Sequence, residues 1–294
     1  MALDTAKITL PKTVVTNIIN KASGVSTIAA LSQSQPQLFA DATHMVFSPS
    51  SEAEIVGEGK TKGSYEQAFT PVPAKIVKLV TTTRTTDELK YADEDNRLEI
   101  LKLIQQDQLG ALARGLDYAV YHGVSAKSGT KVTELTPLTD GAVSVTATTD
   151  QAANIDALAD AVMDYDINGV ALSRIWASAL RKVRVTSTGA RMFPEIPLNL
   201  DAGNLDGINA KTSNTVNGVR CETATNILGI MGDFNLIKWG MVRDATAEII
   251  EYGDPDGTGV DLKANGQIAY RTESIIGFSV LDPKGFAVLK SVAA

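Results

Sequence analysis

The stretch Ala53-Glu54-Ile55-Val56-Gly57-Glu58-Gly59-Lys60-Thr61-Lys62-Gly63 runs on to Ile76-Val77-Lys78-Leu79-Val80-Thr81-Thr82-Thr83, then to Thr85-Thr86-Asp87-Glu88-Leu89. The density of Val, Ile and Thr between Ser64 and Thr86 favours extended backbone. A Gly-rich turn over 57–63 joins that segment to Glu52–Val56, which predicts a long hairpin with a hydrophilic tip. At ~3.3 Å per residue, arms of about 14 residues reach on the order of 45 Å. A lone two-stranded ribbon is marginal in water, so this one needs a surface to lie on.

A long helix comes next. Thr85 and Glu88 have capping-box spacing, Asp87 and Glu88 suit the positive end of a helix dipole, and Gly123 supplies a stop. No Pro interrupts Asp87 to His122, and Leu98, Leu101, Ile104, Leu109, Leu112, Leu116 and Val120 form an imperfect apolar stripe. About 35 helical residues would make a rod of roughly 52 Å. A compact chain of this size is about 50 Å across. A ribbon and a rod on that scale predict a flat, extended subunit covered by copies of itself.

Before the hairpin, residues 1–50 read as an arm. Pro11 can open a short helix whose one face carries Val14, Val15, Ile18 and Ile19, and Gly24 ends it; Met45-Val46-Phe47 is a short strand. Residues 124–150 read as a hairpin or connecting loop, and from about 151 the pattern is mixed α and β. Ile155, Leu158, Ala159 and Val162 mark a helix, Gly169–Leu172 a buried strand, and Ser178–Val185 a short basic helix. Val216–Cys221, Ile227–Met231, Ala247–Tyr252, Gln267–Thr272, Ile275–Val280 and Phe286–Lys290 read as strands.

Composition excludes more than it identifies. The chain has 294 residues, 44% hydrophobic and 21% charged, which is ordinary for a folded protein. A net charge of −7 lacks the cationic footprint of a nucleic-acid reader. No secretory signal and no apolar run long enough for a membrane span is evident. Cys221 is the single cysteine, which fits a reducing cytoplasm and a small core side chain.

Chemical motifs fail on inspection. Gly59-Lys60-Thr61 has Glu54 where a phosphate loop requires its first Gly. Asp254-Pro255-Asp256-Gly257-Thr258-Gly259 starts like a calcium loop, but Asn265 stands where the bidentate Glu belongs; a tight Asp/Gly turn is the reading. His44 and His122 lie in unrelated contexts, one beside a strand and one at a helix end. No nucleophile elbow, metal ligand set or cofactor motif stands out, so neither an enzyme nor a cofactor is expected.

The order arm, hairpin, long helix, α/β body and terminal strands resembles the major capsid proteins of tailed bacteriophages with the Hong Kong 97-like fold, an α+β class. The segments that carry the similarity are Ala53–Gly59 with Phe69 and Pro73-Ala74-Lys75-Ile76, Thr86–Leu89, Leu116-Asp117 with His122-Gly123, Gly232-Asp233-Phe234 with Trp239-Gly240, Ala269-Tyr270-Arg271, Gly277-Phe278, and Asp282–Phe286. The resemblance implies an N-terminal arm (1–50), an extended loop (51–84), a peripheral domain with the spine helix (85–150 and 265–294), and an α/β axial domain (151–264). It implies hexamers and pentamers closing into an icosahedral head around double-stranded DNA, with no sequence-specific grip on that DNA. Glu58, Lys60, Lys62 and Tyr65 of the loop, and Val14, Ile18 and Ile19 of the arm, would touch neighbours. Some relatives crosslink a loop Lys to an Asn of the peripheral domain, but no Asn follows Asn265, so non-covalent stabilisation is expected. A separate scaffolding protein is expected too, with a portal and an optional decoration protein as further partners. Assembly would take place in the host cytoplasm and the product would be part of the virion, without a membrane. Two alternatives compete: an encapsulin-type nanocompartment shell around cargo protein, and a small-molecule enzyme on the α/β body.

Overall fold

The computed structural model describes residues 26–35, 43–47, 53–64, 69–88 and 100–292. A short helix α1 (Thr27–Leu31) precedes strands β1 (Thr43–Phe47), β2 (Phe69–Pro73) and β3 (Lys75–Thr86). Helix α2 (Ile100–Asp117) runs into a π turn, Tyr118–His122. There follow α3 (Leu138–Gly141), β4 (Val143–Thr146), α4 (Gln151–Ala161), β5 (Gly169–Leu172) and α5 (Arg174–Lys182). The remainder is strand: β6 (Asn204–Leu205), β7 (Ile208–Thr212), β8 (Ile227–Gly232), β9 (Ile237–Ile250), β10 (Gln267–Val280) and β11 (Phe286–Lys290).

The Thr-rich strand β3 does extend, but its partner is distant in sequence. It pairs antiparallel with β10 along its whole length, from Thr86 opposite Gln267 to Lys75 opposite Phe278, and β9 flanks β10 on the other side. The expected pairing of Glu52–Val56 with Ser64–Thr86 is therefore corrected. Residues 53–57 form no strand, and the ribbon consists of β1 paired with β2, Thr43 opposite Pro73 and Phe47 opposite Phe69. Pro71 and Pro73 lack amide protons, which suits a ribbon with free edges better than a sheet interior. Among the described strands, β1 and β2 pair only with each other, while β3 is satisfied by its own chain.

Helix α2 lies on that three-stranded sheet. The buried Gln108 donates from Nε2 to Thr83 Oγ1 (3.0 Å) and to the Tyr270 carbonyl (2.9 Å), and accepts from Thr272 Oγ1 (2.6 Å). One amide side chain thus ties the helix to both β3 and β10. Gly123 ends the π turn at φ 61°, a left-handed conformation that glycine adopts without a Cβ clash. The predicted single helix over Asp87–His122 is observed as helical residues 87–88 and 100–122; its middle lies outside the described residues. The capping box is not formed, because Thr85 is still in β3 and its buried Oγ1 has no hydrogen-bond partner.

The second sheet has the order β4-β11-β8-β5-β7-β6. Alternate residues of its strands face opposite ways, and both faces are covered. Ala171, Ile230 and Val288 join the core that also holds Ile28, Tyr121, Phe234 and Trp239. Val170, Leu172, Met231 and Leu289 pack instead under α4 and α5, against Leu158, Trp176 and Leu180. Strand β5 is buried at every position, as its unbroken apolar run predicted.

Four further expectations shift. Gln267–Thr272 and Ile275–Val280 are one strand, because pairing with β3 runs unbroken through Glu273 and Ser274; the register shifts between Glu273 and Ile276 lie on the β9 side only. Strand β9 begins at Ile237 rather than at Ala247, and α5 begins at Arg174, since the Ser173 hydroxyl accepts from Trp176 N (3.2 Å). Val216–Cys221 is a run of turns: Gly218 takes φ 58°, and Val216 is buried by packing alone.

The Trp176 ring lies on Gly229, where a Cβ would sit 2.3 Å from a ring carbon. Gly229→Ala is expected to cost roughly 1–3 kcal/mol through overpacking, read as a lower midpoint in urea unfolding of the subunit.

Candidate assembly surfaces

The described tip of the ribbon, 53–64, is exposed almost throughout. Lys60 N donates to the Gly57 carbonyl (3.2 Å), closing a turn at Glu58-Gly59, and Gly63 N donates to the Glu54 carboxylate (3.0 Å). Gly59 takes φ 77° within that turn. Glu58, Lys60 and Lys62 all point to solvent. Tyr65, and Val14, Ile18 and Ile19 of the arm, lie outside the described residues. The apolar side chains matter more. Ile55 is fully exposed, while Met45 and Phe69 are 62% and 58% exposed. Large apolar groups left exposed on the ribbon and just beyond it mark a surface meant to be covered. Ile55 thus departs from the hydrophilic tip that the sequence predicts.

The part of the arm that is described docks on its own body. Helix α1 is seated by Asp117, a fully buried carboxylate at the end of α2. Asp117 accepts from Ser26 Oγ (2.5 Å), Thr27 N (3.0 Å), Thr27 Oγ1 (3.1 Å), Ile28 N (3.2 Å) and Thr215 Oγ1. Because Thr27 Oγ1 gives its proton to Asp117, the Tyr121 hydroxyl must donate to Thr27 at 2.9 Å. Burial pushes the Asp117 carboxyl up, and the bonds from Ser26, Thr215, Thr27 and Ile28 oppose that shift. Beyond α1, Ser32 Oγ donates to the Ile237 carbonyl (2.8 Å) and Gln35 N to the Trp239 carbonyl (2.8 Å).

A second clamp holds the β9–β10 connection. Arg84 of β3 reaches Asp254 (2.6 Å) and Asp256, and donates from Nη1 to the Val260 carbonyl (3.0 Å). Thr258 N and Gly259 N donate to the Asp254 carboxylate at 3.1 and 2.6 Å. The Asp/Gly turn read from sequence is present, and a guanidinium takes up the two carboxylates that resembled calcium ligands. The hydrogen bond from Arg84 holds the Asp256 carboxyl down to about 2.

One half-open cavity of about 420 Å³ is lined by His122, Lys131, Asp140, Cys221 and Lys290, among others. His122 is not turned to its own helix end. Its Nε2–H donates to the Thr215 carbonyl (2.8 Å), and burial lowers its pKa, so the ring is neutral at pH 7. Burial pushes the Cys221 thiol up. Among the described residues no three His, Cys, Asp or Glu side chains come together to hold a metal ion, and no helix is long and apolar enough to cross a membrane.

An exposed apolar ribbon on a body that holds its own terminal segment in place defines a subunit of a multimeric assembly. The sequence profile of the phage capsid family matches residues 6–291. A solved structure from Mycobacterium phage Ogopogo superposes with a TM-score of 0.82 at 30% identity, covering 91% of this chain and 92% of that one. One from Gordonia phage Cozz gives 0.75 at 29% identity, covering 92% and 87%. A structure of phage G major capsid and decoration proteins shares the fold, with a TM-score of 0.58 at 7% identity over 90% and 89% of the two chains. No curated protein matches the chain. The chain belongs to the phage capsid family and is a major capsid protein of a phage head, built on the α+β capsid fold. The nanocompartment alternative gives way to that assignment, and the chain is a structural protein of the virion.

Replacing Asp117 by Ala orphans two buried amides, Thr27 N and Ile28 N, at about 1–3 kcal/mol each. Asp117→Ala is therefore expected to destabilise the subunit by roughly 2–6 kcal/mol in chemical denaturation. For the second clamp, the folded Asp256 titrates below its unfolded value of about 3.9, so its contribution is present above about pH 4 and lost as pH falls through about 2. Arg84→Ala is expected to speed amide exchange at Thr258 and Gly259 at pH 7; unchanged protection there would contradict the clamp.

Proposed function

We propose that the chain assembles as hexamers and pentamers into an icosahedral head enclosing double-stranded DNA. The tip of the extended loop (51–84), with Glu58, Lys60, Lys62 and Tyr65, lies over an adjacent subunit in this reading, while its last stretch, β3, stays in its own body. Val14, Ile18 and Ile19 tie the arm (1–50) to another. Residues 151–264 form the axial domain; 85–150 with 265–294 form the peripheral one, and β9 and β11 carry the chain between the two sheets. Rings of this kind close by heterologous contacts, the same patch of each copy meeting a different patch of the next.

The observation that carries the reading is the exposure of Ile55, Met45 and Phe69 on a ribbon with little support of its own. A separate scaffolding protein and a portal complete the assembly, with a decoration protein as an optional addition, and it forms in the host cytoplasm. A decoration protein accompanies the capsid protein in the phage G structure. With a net charge of −7, the chain contains DNA without reading it. A structural role without catalysis fits membership of the capsid family.

Replacing 53–64 by a short Gly-Ser turn tests this. Circular dichroism of the subunit should be unchanged, and negative-stain images should lose closed particles. Normal shells from that variant would refute the role given to the loop.

A further inference from the structure

Helices α4 and α5 cover the same face of the six-stranded sheet and are joined by one hydrogen bond, Trp176 Nε1–H to Gln151 Oε1 (3.0 Å). Their charges are segregated. From residue 132 to 173 there is no Lys or Arg, and from 167 to 194 no Asp or Glu.

Both helices carry charge at the unfavourable end. Asp160 stands in the last turn of α4, where no basic residue offsets the negative pole, and Asp164 and Asp166 follow just beyond it. Arg174 opens α5 at its positive pole, with no acid in that first turn. All four are exposed, as is Lys182. Among the described residues none of the five forms an ion pair. Each arrangement costs the isolated subunit a little and would be relieved by the opposite charge.

The chain cannot supply that relief to itself. Arg174, Ile175, Ser178 and Lys182 line an open groove of about 760 Å³ whose other wall is Thr149 and Gln151, at the start of α4. Asp160, the first of the acids, stands at the far end of α4, nine residues on from Gln151. That separation is about 14 Å along the axis, more than one Debye length at physiological salt. Each surface also has an exposed apolar centre: Met163 is 76% exposed beside the acids, and Ile175 is 62% exposed in the groove.

We propose that the acidic end of α4 in one copy docks into the basic groove of α5 in the next, setting the head-to-tail contact of the ring. Met163 meets Ile175, and Asp160, Asp164 and Asp166 meet Arg174 and Lys182. The occupant is a second copy of this chain, because one chain carries both complementary surfaces at places that cannot meet within it. The contact rests on the shell reading and adds to it which surfaces pair.

Two variants test it: Asp160→Lys/Asp164→Lys/Asp166→Lys, and Arg174→Glu/Lys182→Glu. The altered residues are exposed, so circular dichroism should show both folded. Native mass spectrometry should find each variant alone monomeric, with apparent association weakened roughly tenfold or more by like charges. Mixed in equal amounts, they should form rings by alternation. Hexamers close this way; a ring of five forces one like-charge contact and should be missing. Either variant forming rings alone as the wild type does would overturn the pairing while leaving the shell reading intact. So would a mixture that stays monomeric where the wild type forms rings. A wild type that makes no multimer at all would remove the shell reading, and this pairing with it.

Discussion

A two-stranded ribbon has two faces and cannot bury either against itself. In this chain the constraint falls on β1 and β2, whose Met45 and Phe69 stay exposed, with Ile55 beyond them fully in solvent. The neighbouring strand escapes it. β3 is held along its length by β10, so the ribbon is rooted in a sheet that α2 grips through Gln108. A projection of this kind needs a stiff base and a foreign cover. The body provides the first and other copies the second.

The base is stiffened by charges placed with care. Asp117 draws Ser26, Thr27 and Ile28 onto the end of α2, and Arg84 draws the 254–260 turn onto β3. The two sites differ in kind. Arg84 and its carboxylates stay near the surface and stabilise each other. Asp117 has only neutral donors and no cation, so burial raises its pKa despite five hydrogen bonds. Such a site costs desolvation energy and fixes one geometry for the segment it holds. The described arm residues 26–35 are thereby committed to their own subunit.

The sequence exposed the order of elements because that order is written in local signals. The β-branched run Ile76–Thr83, the Pro-free residues 100–122 before Gly123 and the apolar Gly169–Leu172 each fold as their composition demands. Partners were not legible. Nothing local says that Thr83 faces Tyr270 or that Met45, not a residue of 52–56, opposes Pro71. The 254–259 turn is legible as an Asp/Gly turn, but the group that satisfies its carboxylates comes from Arg84, distant in sequence. Asp117 offered a faint signal, an acid set into the stripe of Leu112, Leu116 and Val120. Val216–Cys221 misled because buried valines look alike in a strand and in a packed turn.

The central claim is that the ribbon is covered by sister copies and not by its own body. Amide hydrogen exchange, compared between isolated subunits and assembled shells, tests it directly. The account predicts rapid exchange over 53–64 and 69–73 in the isolated subunit and strong protection in the shell, with β3 and β10 protected in both. Equal exchange over 53–64 before and after assembly would contradict it.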